Sequence, residues 1–365
     1  MRPAARLLCL AWGLAATPAL AQVDSFFAPP ETRGRLTVRL HPMENITAGS
    51  QRLVTFGVPF TRGSISAAGL ATLRVLKGAT ELPAFVEQLT PWRHASNPAV
   101  DGASVRVARV QIQYAFTTLY PGYEEVQVEW GYQGRAQSLP SLQNPRTGWH
   151  LATSGSFVAG DGVFEPDVYA VFPKAHLAKG ALRPMRMLPI DDSVPEARED
   201  PAVMDATEHW PGQVELDHAF KNNIYTHVNE DAPGLPAGVL CPYKDPAAEG
   251  EPWLFDRASA MFVLHLRSGY LKPLREAVRA AEYYRLELYP PGTSPASAVG
   301  CFSLKNPDPA GYIGSNGTMY VYAESLAYLH WLTGDPQAAT AIPWTVSCHE
   351  ANWETIMRWT PTYPS

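Results

Sequence analysis

The sequence predicts a multidomain β + α protein, with an N-terminal antiparallel β-barrel or sandwich followed by helices that pair as in a partial α/α toroid. Residues 35–130 contain short runs in which apolar and polar residues alternate, a pattern typical of half-buried antiparallel strands. From Trp253 onward, apolar residues recur at helical spacing instead. Two helix–Gly–helix units, around Gly269 and Gly334, follow one another there, and stacked pairs of antiparallel helices build toroids of this kind.

The β part is predicted from five alternating runs that are separated by turn residues, and their even spacing favours a sandwich or barrel. The stretch RLVTFGVPFTRGSIS, residues 52–66, is a strand interrupted by Gly57, Pro59 and Gly63. We expect Gly57 to let a neighbouring backbone approach, Pro59 to end strand pairing and Gly63 to turn the chain. The five runs are RLTVRL, ATLRVLKG, ELPAFVEQLT, ASVRVARVQIQYAF and YEEVQVEW.

The helices are predicted from apolar spacing and from their end signals. WLFDRASAMFVLHLRSGY is predicted to be a helix that Gly269 ends in a left-handed conformation, and LKPLREAVRAAEYYRLELY to be a second that ends before Pro290. GTMYVYAESLAYLHWLTGDP is predicted as a third helix, capped by Gly334. Asp335 and Pro336 then fit the N-cap and first position of the next helix.

The N-terminus predicts a secretory signal peptide. Arg2 and Arg6 precede an apolar run, LLCLAWGLAATPAL, which ends in small residues. We expect cleavage after Ala21 and a secreted or periplasmic bacterial protein. The domains are therefore predicted as signal peptide 1–21, β-barrel 30–190, linker and cleft-forming segment 191–250, and partial toroid 251–365.

The charge balance argues against nucleic acid as a binding partner. The chain has 29 basic and 35 acidic residues, and without Arg2 and Arg6 the basic count falls to 27, a formal charge of about −8. A protein built to bind phosphate backbones needs a basic surface instead. The expected partner is a poly- or oligosaccharide, with neither nucleic acid nor membrane, because abundant aromatic residues often form platforms for sugar rings.

The cysteines predict a structural role. Cys9 leaves with the signal peptide, and Cys241, Cys301 and Cys348 permit one disulfide and one free thiol, with the pairing open. Their spacing matches no zinc site, so no metal site is predicted. We expect no cofactor, and participation of Ca²⁺ stays open.

Three stretches carry a resemblance to a known family. LVTFGVPFTRGSI resembles the start of the RIFT-type β-barrel of secreted exo-acting rhamnogalacturonan lyases and their YetA-like relatives, which continue into an α/α toroid. WLFDRASAMFVLHLRSGYLKPLREAVRAAEYYR and YVYAESLAYLHWLTGDP look like early helices of that toroid. The resemblance covers most of residues 35–336. It implies a polysaccharide lyase whose toroid lacks its C-terminal half in this sequence.

The chemistry that the resemblance implies is removal of the C5 proton of a uronate. This step needs a base near C5 and cations or amide donors that neutralise the carboxylate. The segment DHAFKNNIYTHVNED supplies such groups before the first toroid helix, although a polar surface loop would have the same composition. We expect Tyr225 or His227 as base and Lys221 and Arg257 as neutralisers. The expected substrate-binding residues are Arg62, His218, Asn222, Tyr312, Asn316 and Tyr322.

Several of these residues also have a structural interpretation. Arg62 fits a solvated loop position as well as a contact to a sugar or carboxylate. Asp256 and Arg257 fit a buried ion pair within an apolar helix, and Tyr322 fits aromatic core packing. Two other functions stay open. A glycoside hydrolase would use two carboxylates about 5–10 Å apart, for which Asp256 and Glu324 are available, and a non-catalytic glycan-binding protein would need neither.

Overall fold

The strands precede the helices in the chain, as the sequence predicts. The computed structural model describes residues 28–93, 102–153, 162–183, 256–302 and 321–357, with the single residues 159, 187 and 189. The ten described strands are β1 (Gly34–Pro42), β2 (Gln51–Pro59), β3 (Arg74–Lys77), β4 (Thr80–Leu82), β5 (Ala84–Pro91), β6 (Val105–Ala115), β7 (Glu124–Trp130), β8 (Trp149–Leu151), β9 (Phe164–Pro166) and β10 (Val168–Val171).

The strands form antiparallel sheets. One sheet has the order β10-β1-β7-β3-β4, a second has the order β2-β6-β5, and β8 pairs with β9. In β1 every second residue is buried, because one face of the strand lies on the core. In β6 both faces are largely buried, since the strand lies between β2 and β5. Phe60 packs edge-on against Trp130 of β7 at 5.1 Å between ring centroids, so the two larger sheets share a core.

The helices form two hairpins, and the turn signals that the sequence contains are confirmed. Gly269 and Gly334 have φ of 69° and 71°, and each ends a helix in the left-handed region. The Asp335 carboxylate accepts the N–H groups of residues 337 and 338, which caps the helix that begins at Pro336. The described helices are α1 (Lys174–Leu177), α2 (Arg257–Ser268), α3 (Leu271–Leu286), α4 (Ala323–Thr333) and α5 (Pro336–Met357).

The two hairpins repeat the same histidine contact. His265 Nδ1 donates to the carbonyl oxygen of Tyr270 at 2.8 Å, and His330 Nδ1 donates to that of Asp335 at 2.7 Å. Each histidine lies four residues before the glycine that ends its helix. The contacts therefore hold each tight turn in the same way.

Within the described ranges, no helix has the length and apolar character needed to cross a bilayer.

Two predicted helix starts are wrong. The first helix begins at Arg257 rather than near Trp253, and Asp256 is its N-cap with φ of 47° rather than a residue inside it. Its carboxylate accepts the N–H of Ser259, which satisfies a donor at the helix start. The predicted end of the second helix before Pro290 is confirmed, since that helix ends at Leu286. The third begins only at Ala323, because Tyr322 is extended.

One hydrophobic core includes both the sheets and helices α2–α4. Helix α4 crosses β2 so closely that a Cβ on Gly57 would lie 1.7 Å from the backbone oxygen of Trp331. The prediction that Gly57 admits a neighbouring backbone is confirmed, and that backbone belongs to a helix. Pro59 is the last residue of β2, and Gly63 turns the chain with φ of 83°, as predicted. The predicted domain boundaries between 190 and 251 lie outside the described residues.

We expect Gly57→Ala to lower the free energy of unfolding by about 1–3 kcal/mol or more, because the helix must move away from the strand. The overlap is with backbone, which cannot rotate aside. Thermal and denaturant unfolding would measure the loss. Gly134→Ala is the matched control, since open space surrounds that position. Equal stability of the two variants would contradict the close approach of α4 to β2.

A buried charge cluster joins the β9–β10 region to helix α3. Glu165 is fully buried, and its carboxylate accepts two hydrogen bonds from Arg275 at 2.8 and 2.9 Å and one from Arg279 at 2.6 Å. His150 lies 3.4 Å from Glu165 and 3.0 Å from Asp167. Burial alone would raise the pKa of Glu165, but the hydrogen bonds from Arg275 and His150 and the charge of Arg279 hold it well below the usual range.

The same cluster predicts a loss of stability at alkaline pH. Burial lowers the pKa of His150, but its hydrogen bonds to Asp167 and Glu165 outweigh burial and raise it to about 9, against 6.5 ordinarily. Because its pKa is raised, His150 contributes its full stabilisation below pH 6.5, where it is protonated in both the folded and the unfolded chain. This contribution is lost as pH rises to about 9. We expect the stability advantage of the native protein over His150→Gln to shrink across this interval. A difference in thermal midpoint that stays constant with pH would contradict the charged histidine.

Cys301 and Cys348 form a disulfide. It joins the segment after α3 to helix α5, and it closes a span of 47 residues. The sequence permits one disulfide among its three remaining cysteines, and the structure pairs Cys301 with Cys348. Cys241 lies outside the described residues.

Candidate functional site

The sequence-predicted site falls mostly on residues that the structure does not describe. Of those it describes, Arg62 and Tyr322 have described side chains, whereas Arg257 is described only as the first residue of α2. The ion pair between Asp256 and Arg257 therefore stays a prediction. The candidates outside the described residues are His218, Lys221, Asn222, Tyr225, His227, Tyr312 and Asn316.

The described candidate site lies at the N-terminal ends of helices α2 and α4. Asp256 caps α2, and Glu324 lies in the first turn of α4. Their charges interact, although 67 intervening residues separate them in the chain. The side chain of Glu324 is half exposed. We call Asp256, Glu324, Tyr328 and Arg183 the helix-start cluster.

Asp256 has the ionisation behaviour of an acid–base group. Burial raises its pKa, the negative charge of Glu324 adds to the shift, and the hydrogen bond from Ser259 opposes it. The result is a pKa of about 6, against an ordinary value of 3.8. A carboxyl group with such a pKa exchanges a proton near neutral pH, which is the property that general acid–base catalysis requires.

Glu324 is held by two partners. The hydroxyl of Tyr328 donates to it at 2.7 Å, one turn along α4, and Arg183 donates to the same oxygen at 3.3 Å. Tyr328 is buried, and burial together with the Glu324 carboxylate raises its pKa, so it stays a hydrogen-bond donor. Tyr328 thus positions Glu324, while Arg183 supplies a partly exposed cation beside it.

An arginine–tryptophan stack continues from this cluster to Arg62. The guanidinium of Arg106 lies between the rings of Trp92 and Trp331, at 4.8 and 4.2 Å from their centroids. It donates to the carbonyls of residues 181 and 182 and interacts electrostatically with both Tyr328 and Arg62. The exposed side chain of Arg62 also contacts Trp92, with its guanidinium 5.1 Å from the centroid of the Trp92 ring. Contacts therefore connect Arg62 to the helix-start cluster.

Tyr322 contributes to packing at the same end of the helices. Its ring lies 5.7 Å from that of Tyr284, and its backbone N–H donates to the Tyr284 hydroxyl at 2.7 Å. Tyr284 also stacks on Phe302 at 5.3 Å. The core-packing interpretation of Tyr322 is confirmed in part, because the side chain is half-buried. A role in substrate binding stays a prediction.

Sequence reasoning missed Arg106, Arg183 and Tyr328. Arg183 gives no local signal, and Arg106 is one of two arginines in an alternating strand. Tyr328 had a usable one, since it follows Glu324 by four residues on a helix, a spacing at which side chains meet. In the described part of the chain, no group of three or more histidine, cysteine, aspartate or glutamate side chains could hold a metal ion.

The site thus combines a carboxyl group of raised pKa, a second carboxylate and partly exposed arginines. No family model, curated protein or solved structure matches the chain. The fold and the side chains of this site are therefore the basis for assigning a function.

Proposed function

We propose that the chain is a secreted carbohydrate-active protein that cleaves uronate-containing, rhamnogalacturonan-type glycans by β-elimination. The observation that carries the proposal is that contacts join Arg62 and Arg183 to Glu324, whose negative charge acts on the proton-exchanging carboxyl group of Asp256. A uronate needs this combination, since its carboxylate must be neutralised before the C5 proton can leave.

In this proposal the described arginines bind the substrate carboxylate. The base takes the proton from C5, the C4–O4 bond breaks, a C4=C5 double bond forms and O4 receives a proton. Tyr225 or His227 is the proposed base, and Asp256 is a further candidate, because its pKa of about 6 leaves it ionised at neutral pH yet more basic than an ordinary aspartate. Lys221 and Arg257 complete the proposed neutralisation of the carboxylate.

The succession of β-sheets and then helical hairpins along the chain supports the proposal, because the lyases that the sequence resembles have a barrel followed by a toroid. The two hairpins with their repeated histidine contact are consistent with two units of a toroid. Secretion and the cleavage site after Ala21 belong to the proposal. So does the absence of a cofactor, with Ca²⁺ left open.

A specific observation favours glycoside hydrolysis as a second candidate. Asp256 and Glu324 are two carboxyl groups whose charges interact, and Asp256 has the raised pKa of a general acid. Hydrolases use such a pair across the scissile bond. In that reaction Asp256 would protonate the leaving oxygen and Glu324 would act on the opposite face.

Incubation of the purified protein with rhamnogalacturonan separates these functions. A rise in the ultraviolet absorbance of unsaturated uronate supports β-elimination. New reducing ends without that absorbance would establish hydrolysis instead. Neither signal, with binding retained in a native gel, would show a glycan-binding protein without cleavage activity.

A further inference from the structure

A loop on the β part exposes large aromatic side chains that the candidate site does not use. The connection between β6 and β7, residues 116–123, is called the tyrosine loop here. Leu119, Tyr120 and Tyr123 are each about 40% exposed on this single short segment. Exposed aromatic residues that cluster in one loop indicate a contact surface more often than isolated ones do.

The tyrosine loop is fixed in shape by Glu124. The carboxylate of Glu124 accepts the N–H groups of Thr117 and Thr118 at 2.6 and 2.9 Å and the hydroxyl of Thr117 at 2.8 Å. It also accepts the hydroxyl of Tyr114 and the ammonium of Lys77, each at 2.8 Å. These bonds hold both ends of the loop. Aromatic rings held in place bind with little loss of conformational entropy.

Each tyrosine ring is supported by a guanidinium group. Arg39 lies 4.7 Å from the centroid of Tyr123, whose ring also contacts His41 at 5.1 Å. Arg275 lies 5.7 Å from the centroid of Tyr120. The rings are therefore anchored by the sheet and by helix α3, while about 40% of each tyrosine stays exposed.

The cations around the loop are paired with acids. Arg39 contacts Glu125 at 3.4 Å, and both side chains are about half exposed. Arg275 makes two hydrogen bonds to Glu44, at 2.9 and 2.8 Å. A polyanion gains little from such compensated charges. Partly exposed donors and acceptors beside aromatic faces instead suit a ligand with many hydroxyl groups and an apolar C–H face.

We propose that the tyrosine loop is a carbohydrate-binding site, in which Tyr120 and Tyr123 stack on neutral pyranose units of a glycan. The C–H groups of a pyranose face are attracted by the negative face of an aromatic ring. The outer parts of Arg39, Glu125 and Glu44 donate to or accept from the sugar hydroxyls. The site is separate from the helix-start cluster and shares no residue with it, so it does not depend on the proposed cleavage reaction.

Affinity electrophoresis in native gels tests the proposal. The probes are soluble neutral polysaccharides, namely galactan, glucomannan and hydroxyethyl cellulose, with polygalacturonate in a parallel gel. We expect at least one neutral polymer to retard the native protein. Tyr120→Ala and Tyr123→Ala should each weaken that retardation by about 3–10-fold, the contribution of one aromatic contact. Tyr132→Ala is the matched control, because Tyr132 is also exposed but lies outside the loop.

Circular dichroism of the variants confirms folding before the gels are compared. The double variant should show no retardation while Tyr132→Ala behaves as the native protein. Retardation by polygalacturonate alone, or by no polymer, would overturn the proposal. So would a double variant that is retarded like the native protein, or an equal loss in the Tyr132 control. Cleavage activity is measured separately, so failure of one proposal leaves the other standing.

Discussion

Glu165→Gln is expected to lower the free energy of unfolding by about 3–5 kcal/mol, the typical cost of breaking a buried ion pair on one side. The native carboxylate is fully buried and accepts hydrogen bonds from Arg275 and Arg279 of helix α3 and from Tyr169. Glutamine keeps the size of the side chain but removes its charge. The positive charges of the two arginines would then be left without their buried counter-charge. Denaturant unfolding measures the loss.

Two comparisons make this expectation specific. Glu125→Gln removes the exposed pair with Arg39, and such pairs contribute about 0–1 kcal/mol. Glu165→Gln combined with Arg279→Met removes a buried cation together with the anion, so the double variant should recover part of the loss. If Glu165→Gln unfolds at the same denaturant concentration as Glu125→Gln, the cluster does not fasten α3 to the sheets.

The parts of the fold that the sequence predicts correctly depend on local signals. Gly269 and Gly334 predict the ends of helices because few other residues adopt the left-handed conformation. Alternation in β1 follows from burial of one face, so it is visible in RLTVRL. The close approach at Gly57 was also predicted, although its partner, the backbone at Trp331, lies far along the chain. A glycine in a strand indicates crowding without identifying the neighbour.

The parts that escaped prediction depend on contacts distant in sequence. Glu165 and Arg275 are 110 residues apart, and nothing in either neighbourhood indicates the other. The helix begins at Arg257 because the Asp256 carboxylate satisfies one of its first backbone donors, whereas the apolar pattern extends further back. The repeated histidine before each glycine, in LHLRSG and LHWLTG, was a readable signal for a shared turn. The interaction of Asp256 with Glu324 could be considered from the sequence only as a pair of available carboxylates.

Asp256→Asn is expected to reduce turnover by about 10²–10⁴-fold, the range for loss of a general acid or base, while the thermal midpoint stays close to that of the native protein. Asparagine caps helices as well as aspartate and tolerates the left-handed conformation, so the bond to Ser259 can persist. It cannot exchange a proton. The change in activity near pH 6 that the raised pKa of Asp256 predicts should disappear from the pH–activity profile.

Asp256→Ala separates the two roles of this residue. Alanine removes both the acid and the cap, so the variant should lose activity and also about 0.5–2 kcal/mol of stability. Glu324→Gln should shift the pH limb downward, because one contribution to the raised pKa of Asp256 is the charge of Glu324. Activity is followed by unsaturated uronate and by reducing ends, so the test applies to elimination and to hydrolysis. An Asp256→Asn protein with native turnover and an unchanged pH profile would show that Asp256 only caps the helix, and the catalytic site would then have to lie elsewhere.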